Sequence, residues 1–231
     1  MLGGASLLTR ESAMAATPDN EFRAFQVSRR KLLWSLLGDL PEKTPPKATV
    51  KKVEQHDGFA LEYLDLELNG LETVPALLLI PDKRAEKAPG MVYNHWHGGN
   101  YDAGKTELLN GTRAMKAYAP VYAEKGIVAL AIDAWCFGER MPYPDKGGQG
   151  ESDTFKEMLW KGRVLWGMMV FDSWQALNYL STRPEVDASR IGTFGISMGS
   201  TMAWWLAALD ERIQCCIDLC CLTDYEALIE T

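Results

Sequence analysis

The first patterned stretch, 22–37, spaces its apolar residues at helical intervals and stops at Gly38, which predicts an amphipathic helix. After the proline-rich run 41–46 the pattern becomes alternating. Leu61, Tyr63, Leu66 and Leu68, followed by 74–80, predict two strands joined at the hairpin dipeptide Asn69-Gly70. A short apolar run, 90–95, breaks at Gly98-Gly99. Beyond it the chain predicts a helix over 112–125 stopped by Gly126, a strand over 127–132 and a long, kinked helix over 153–180. A strand over 190–196, a helix over 200–209 and a strand over 213–222 follow, and another helix starts near Asp224. Apolar strands alternating with helices predict an α/β fold, a mostly parallel central sheet with helices on both faces. The longest irregular stretch, 138–151, follows a parallel strand and reads as a substrate-facing loop or as a passive connection.

The 231 residues, 47% of them hydrophobic, are enough for one globular domain or most of one. They divide into a tail, helix and linker over 1–46 and an incomplete α/β domain over 47–231. A net charge of −7 and a pI near 5.1 argue against a nucleic-acid partner. Ser28-Arg29-Arg30-Lys31 imitates an export signal, but its apolar stretch is too short, and no run reaches the roughly 20 residues that span a bilayer. A soluble, cytoplasmic protein without a membrane partner is the expectation. Four of the five cysteines fall in Cys215-Cys216 and Cys220-Cys221. They lack metal-site spacing, so they are expected to act as small hydrophobes in a buried strand, with no metal bound.

Candidate chemistry concentrates in Gly195-Ile196-Ser197-Met198-Gly199, a G-x-S-x-G between an apolar strand and a helix. A serine on so tight a turn has strained backbone angles, and the flanking glycines remove side chains that would collide there. Ser197 is the candidate nucleophile. The Met198 amide, at a helix start, is a candidate oxyanion donor. His95-Trp96-His97-Gly98-Gly99-Asn100 matches an H-G-G oxyanion loop, whose glycines let the backbone approach a carbonyl, so Gly98 and Gly99 are candidate donors as well. His95 and His97 read as residues that shape this loop, and His56 as an exposed strand-end residue before the turn Asp57-Gly58. Asp133 is expected to hydrogen-bond its own loop, and Asp224 is an acid with no histidine to orient. Arg140 suits either a substrate carboxylate or a surface ion pair with Glu139 or Asp145. The residues Phe155, Met158, Trp160, Trp166, Met168, Met169, Phe171 and Trp174 are expected mostly to pack on the sheet.

Asp172, Ala176, Tyr179-Leu180, Val186-Asp187, Arg190-Ile191 and Gly195 to Gly199 resemble the block before the nucleophile in α/β-hydrolase superfamily members of the dienelactone hydrolase-like, acetyl xylan esterase-like and prolyl oligopeptidase-like kinds. The resemblance covers about 74–222. It implies a serine hydrolase acting on a small-molecule carboxylic ester without metal or organic cofactor: Ser197 attacks, and the amides of Met198 and of Gly98 or Gly99 hold the oxyanion. In those families the base histidine and its acid follow the last strands. By that comparison the last two strands are missing here, the chain is expected to be C-terminally truncated, and base and acid are absent from it. The alternatives are a catalytically inactive hydrolase-derived binding or scaffold chain, or a prolyl oligopeptidase-like peptidase, although the preceding region is too short for a β-propeller. A dinucleotide-binding domain is excluded, because Gly195 and Gly199 flank a serine.

Overall fold

The computed structural model describes residues 18–143, 147–221 and 226. Alternation of side chains builds its sheet. In β2 (Phe59–Glu67) and β3 (Thr73–Pro81), Leu64, Leu66, Val74, Ala76 and Leu78 face one side, while Leu61, Leu77 and Leu79 face the other. With β1 (Lys47–His56), β4 (Ala88–Asn94), β5 (Val128–Ile132), β6 (Val186–Ile196) and β7 (Ile213–Leu219) they form a seven-stranded sheet ordered β1-β2-β3-β5-β4-β6-β7. The first three strands pair antiparallel and β3 meets β5 antiparallel, whereas β5, β4, β6 and β7 run parallel. Parallel neighbours require crossovers, and helices supply them. The helices α5 (Leu165–Thr182) and α6 (Met198–Leu209) cover one face, while α2 (Glu107–Asn110) and α3 (Ala119–Lys125) cover the other.

Asn69-Gly70 makes the expected hairpin turn, with Gly70 at φ 69° and the Asn69 side-chain Oδ1 accepting the Leu71 and Glu72 amides. The amphipathic helix is α1 (Pro18–Ser35), tied to α6 where Arg30 donates to the Ala208 carbonyl at 3.3 Å and pairs with Glu211. No helix among the described residues is long and apolar enough to cross a membrane. The 1–17 tail, Asp145 and Asp224 lie outside the described residues.

Several elements differ from expectation. The edge strand β1 was not foreseen, because it is exposed along nearly its whole length and lysine-rich, without an apolar face to read. The helix expected over 112–125 begins only at Ala119, since Pro120 cannot sit inside a helix and fits its first turn. The long helix over 153–180 is two helices, α4 (Gly147–Trp160) and α5, separated at Gly162 (φ 73°) where Arg163 bridges to Gly38. Accordingly Phe171, Met168 and Met169 of α5 are buried, while Trp160 on α4 is 93% exposed. The irregular stretch 138–151 is interrupted by a 3-10 turn at Gly138–Arg140 and by α4. The cysteines Cys215, Cys216 and Cys220 are exposed, because β7 has a single neighbour among the described residues.

Arg140 also overturns its expected surface pairing, being buried. It donates to Glu72 at 2.9 and 2.5 Å, to the Asp172 carboxylate at 2.7 Å and to the Asp133 carbonyl at 2.7 Å, and lies over the Trp135 ring. Glu139 pairs instead with Lys105. Burial pushes the Asp172 pKa up, although Arg140 and Asn69 pull it down, so the ion pair compensates a cost of desolvation. Arg140→Ala leaves that carboxylate buried without its cation and is expected to destabilise the fold by about 3–5 kcal/mol, read as a lower guanidinium midpoint. The double change Arg140→Met with Asp172→Leu is expected to recover much of the loss.

Candidate active site

Ser197 joins β6 to α6 at φ 55° and ψ −120°, a conformation that a residue with a side chain adopts only under constraint. The constraint comes from both sides. The Ser197 amide donates to the Leu219 carbonyl of β7 at 2.9 Å, and its carbonyl accepts the Thr201 amide at 3.0 Å. A Cβ at Gly195 would collide with the Gly199 carbonyl, and one at Gly199 with the Asn94 carbonyl, so both positions require glycine. Three residues into the turn, the Ser200 hydroxyl donates to Asp218 and binds α6 to β7. The Ser197 hydroxyl is half-buried and has no hydrogen-bond partner among the described residues. The Met198 amide opens α6 and, like the first amides of any helix, lacks an intrahelical acceptor.

Parallel pairing of β4 with β6 sets Asn94 beside Gly195, so the double-glycine loop and the Ser197 turn leave the sheet at the same end. Asn94 is locked there, donating to the Thr193 hydroxyl and the Phe194 carbonyl and accepting from the Ser173 hydroxyl. Within the loop, three amides are already committed. Trp96 donates to Glu107 at 3.0 Å, Gly99 to His97 Nδ1 at 3.2 Å, and Asn100 to the His97 carbonyl at 3.1 Å. The Gly98 amide has no partner among the described residues. Gly98 is at φ 52° against the Trp96 indole, where a Cβ would enter the ring. Of the two glycines, the geometry therefore leaves Gly98 and not Gly99 with a free donor.

Both loop histidines are engaged. His95 is buried; Nε2 accepts the Ala134 amide at 3.1 Å, so Nδ1 carries the proton and donates to the Trp96 carbonyl at 2.9 Å. Burial holds its pKa below the usual histidine range. His97 accepts at Nδ1 and donates from Nε2 to Glu151 at 2.9 Å, an oxygen that also accepts the Tyr101 hydroxyl at 2.6 Å. His56 sits at the end of β1, exposed and stacked on Phe59. Beneath the loop, Asn94, His95, Ala134, Met169, Ser173, Met198 and Met202 are among the residues enclosing a pocket of about 20 Å³, room for one water molecule. Asp133 is fully buried and accepts from the Lys105 amide and ammonium, both at 2.7 Å, and from the Glu139 amide at 3.0 Å. Cys136 nearby is inert, its thiol pushed up to about 11 by burial.

Glu107, Glu151, Tyr101 and Lys105 escaped the sequence reading. Each acts on the loop or its neighbours from outside any motif, and no local pattern in the sequence marks it: Glu107 lies in the mixed run Lys105-Thr106-Glu107-Leu108-Leu109-Asn110.

The acetyl xylan esterase (AXE1) family matches residues 33–231. YtaP of Bacillus subtilis (strain 168), described as a hydrolase, is 44% identical over 208 residues, which is 89% of this chain and 68% of that protein. Among solved structures, a protein of Bacteroides fragilis NCTC 9343 described as an acetyl xylan esterase superposes with a TM-score of 0.68 at 22% identity, over 84% of this chain and 52% of its own. The acetyl xylan esterase from Paenibacillus sp. R4 gives 0.55 at 23% identity, over 87% and 59%. The chain thus spans between half and three-fifths of those two solved proteins, and at such identities they establish the α/β-hydrolase fold. With the family match running from α1 through β7, the chain belongs to the acetyl xylan esterase (AXE1) family.

Proposed function

We propose that residues 47–231 form the nucleophile-bearing part of a serine esterase acting on small carboxylic esters, with 1–46 as an N-terminal arm. The observation that carries this reading is the unpartnered Ser197 hydroxyl on a strained strand-to-helix turn, next to the Met198 amide that opens α6. Ser197 attacks the ester carbonyl, forming a tetrahedral intermediate whose oxyanion accepts hydrogen bonds from the Met198 and Gly98 amides. The alcohol then leaves, and water releases the acid from the acyl-enzyme. Family membership and the resemblance to a hydrolase at 44% identity support the reaction class.

The serine still needs a base, and we place it outside these residues. The sequence holds three histidines. His95 and His97 each have both ring nitrogens committed, and His56 sits on the edge strand β1 at the far side of the sheet order from β6. The competing reading, a hydrolase-derived binding chain, draws on the same absence. Chemical rescue separates the two. The 231-residue chain is expected to hydrolyse 4-nitrophenyl acetate no faster than its Ser197→Ala variant, and added imidazole is expected to raise the first rate above the second. Turnover well above the variant without imidazole means that a residue described here serves as base. Equality under both conditions favours the binding chain.

A second expectation follows from His95 as a structural residue. It stays neutral when folded, whereas the unfolded chain takes up a proton near its ordinary pKa of about 6.5. Because the folded pKa is depressed, stability is lost as pH falls below about 6.5 toward the folded value. Urea midpoints at pH 7 and pH 5 should show a larger drop for the native chain than for His95→Gln.

A further inference from the structure

Glu107 is the first residue of α2, fully buried, and forms no ion pair among the described residues. Its two oxygens accept from two groups that bracket the end of β4: Oε1 from the Tyr93 hydroxyl at 2.8 Å and Oε2 from the Trp96 amide at 3.0 Å. A carboxylate in such surroundings is expensive, and burial raises its pKa against the pull of those two donors. Asp133 and Asp172 are buried at equal depth, yet each has a cation, Lys105 and Arg140 respectively. Packing alone gives no reason for a charge at 107; its two hydrogen bonds do, since an apolar residue there would leave the Tyr93 hydroxyl and the Trp96 amide unpaired.

What the carboxylate does is fix one peptide. The Trp96 amide is held by Glu107 and the Trp96 carbonyl by His95 Nδ1, so both faces of the residue are anchored. The Trp96 indole in turn is the surface on which Gly98 rests, with Arg113 over its ring at 5.6 Å. We propose that Glu107 is the positioning residue of the oxyanion loop, holding the Trp96 amide so that Trp96 sets the direction of the free Gly98 amide. This rests on the oxyanion role assigned to Gly98 above. Charge matters because a carboxylate holds a backbone N–H roughly twice as strongly as a neutral acceptor. The groups that meet Glu107 are the Tyr93 hydroxyl from β4 and the Trp96 amide; Tyr118 and Tyr122 pack on the Tyr93 ring, and Arg113 lies over the Trp96 ring.

Amide hydrogen exchange and ¹H–¹⁵N spectra of the full chain test this directly. In Glu107→Gln the side-chain oxygen can still accept from Trp96 and its NH₂ can donate to the Tyr93 oxygen, so the fold is preserved. Trp96 exchange is expected to rise on the order of tenfold and the Gly98 amide resonance to shift, while β4 and β6 stay protected. In the native chain the Trp96 amide resonance is expected to titrate with a carboxylate raised above the ordinary range, and in Glu107→Gln that titration vanishes. Glu107→Ala should extend the loss to Gly99 and Asn100. Should that variant not fold, the glutamine variant decides alone. Unchanged Trp96 exchange and an unchanged titration overturn the proposal, and so does a loss of protection spread evenly through β4 and β6, which marks a residue of the fold only. With imidazole present, Glu107→Gln is expected to lower Ser197-dependent kcat at constant KM. If the native chain shows no Ser197-dependent turnover even with imidazole, the esterase reading fails, and the exchange data still decide whether Glu107 holds Trp96.

Discussion

The site depends on one close approach. The first turn of α6 presses against the end of β4 so tightly that the Asn94 carbonyl occupies the space a side chain at 199 would need, and the Gly199 carbonyl does the same to position 195. Dispersion and hydrogen bonding elsewhere hold these elements at that distance, but only two absent side chains permit it. Because β4 and β6 are parallel neighbours, the contact brings two chain reversals to the same edge of the sheet. Ser197 and the double-glycine loop come from segments about a hundred residues apart, and this contact joins the elements that carry them.

Around that edge the molecule buries charge in quantity. Lys105 bridges Asp133 and Glu139, while Arg140 draws together Glu72, Asp172 and the backbone after β5. These pairs tie the β2–β3 turn, the β5 loop and α5 into a frame, and α5 continues it through Ser173 to Asn94. A packed apolar core would hold the layers together as well. Hydrogen-bonded ion pairs add direction, since each fixes a loop at a stated atom instead of merely keeping it close.

Local chemistry made the central features legible from sequence. The positive φ of Ser197, the glycines around it, the Asn69-Gly70 turn and the alternation of β2 and β3 are properties of neighbouring residues, and each stands as expected. The α/β order followed from the same signals. What the sequence concealed depends on partners far along the chain. Arg140 looked like a surface residue because Glu72 and Asp172 are distant in sequence, and Glu107 looked incidental because its connection to Trp96 exists only in the fold. β1 and the cysteines of β7 were misjudged for a related reason: strand propensity does not say whether a strand lies at the centre or at an edge. The break between α4 and α5 depended on Gly162 and on a bridge to Gly38, of which only the glycine was visible.

The hydrogen bond from the Ser197 amide to Leu219 has a mechanical meaning. The backbone that strains the serine is braced from outside by the last turn of a strand with one neighbour among the described residues, and Ser200 with Asp218 adds a second brace. Edge strands open at lower free energy than the sheet interior. Fraying at the end of β7 would relax the turn at Ser197 while the core stayed intact, so the unusual backbone angles of that one residue are only as stiff as the strand end that braces them.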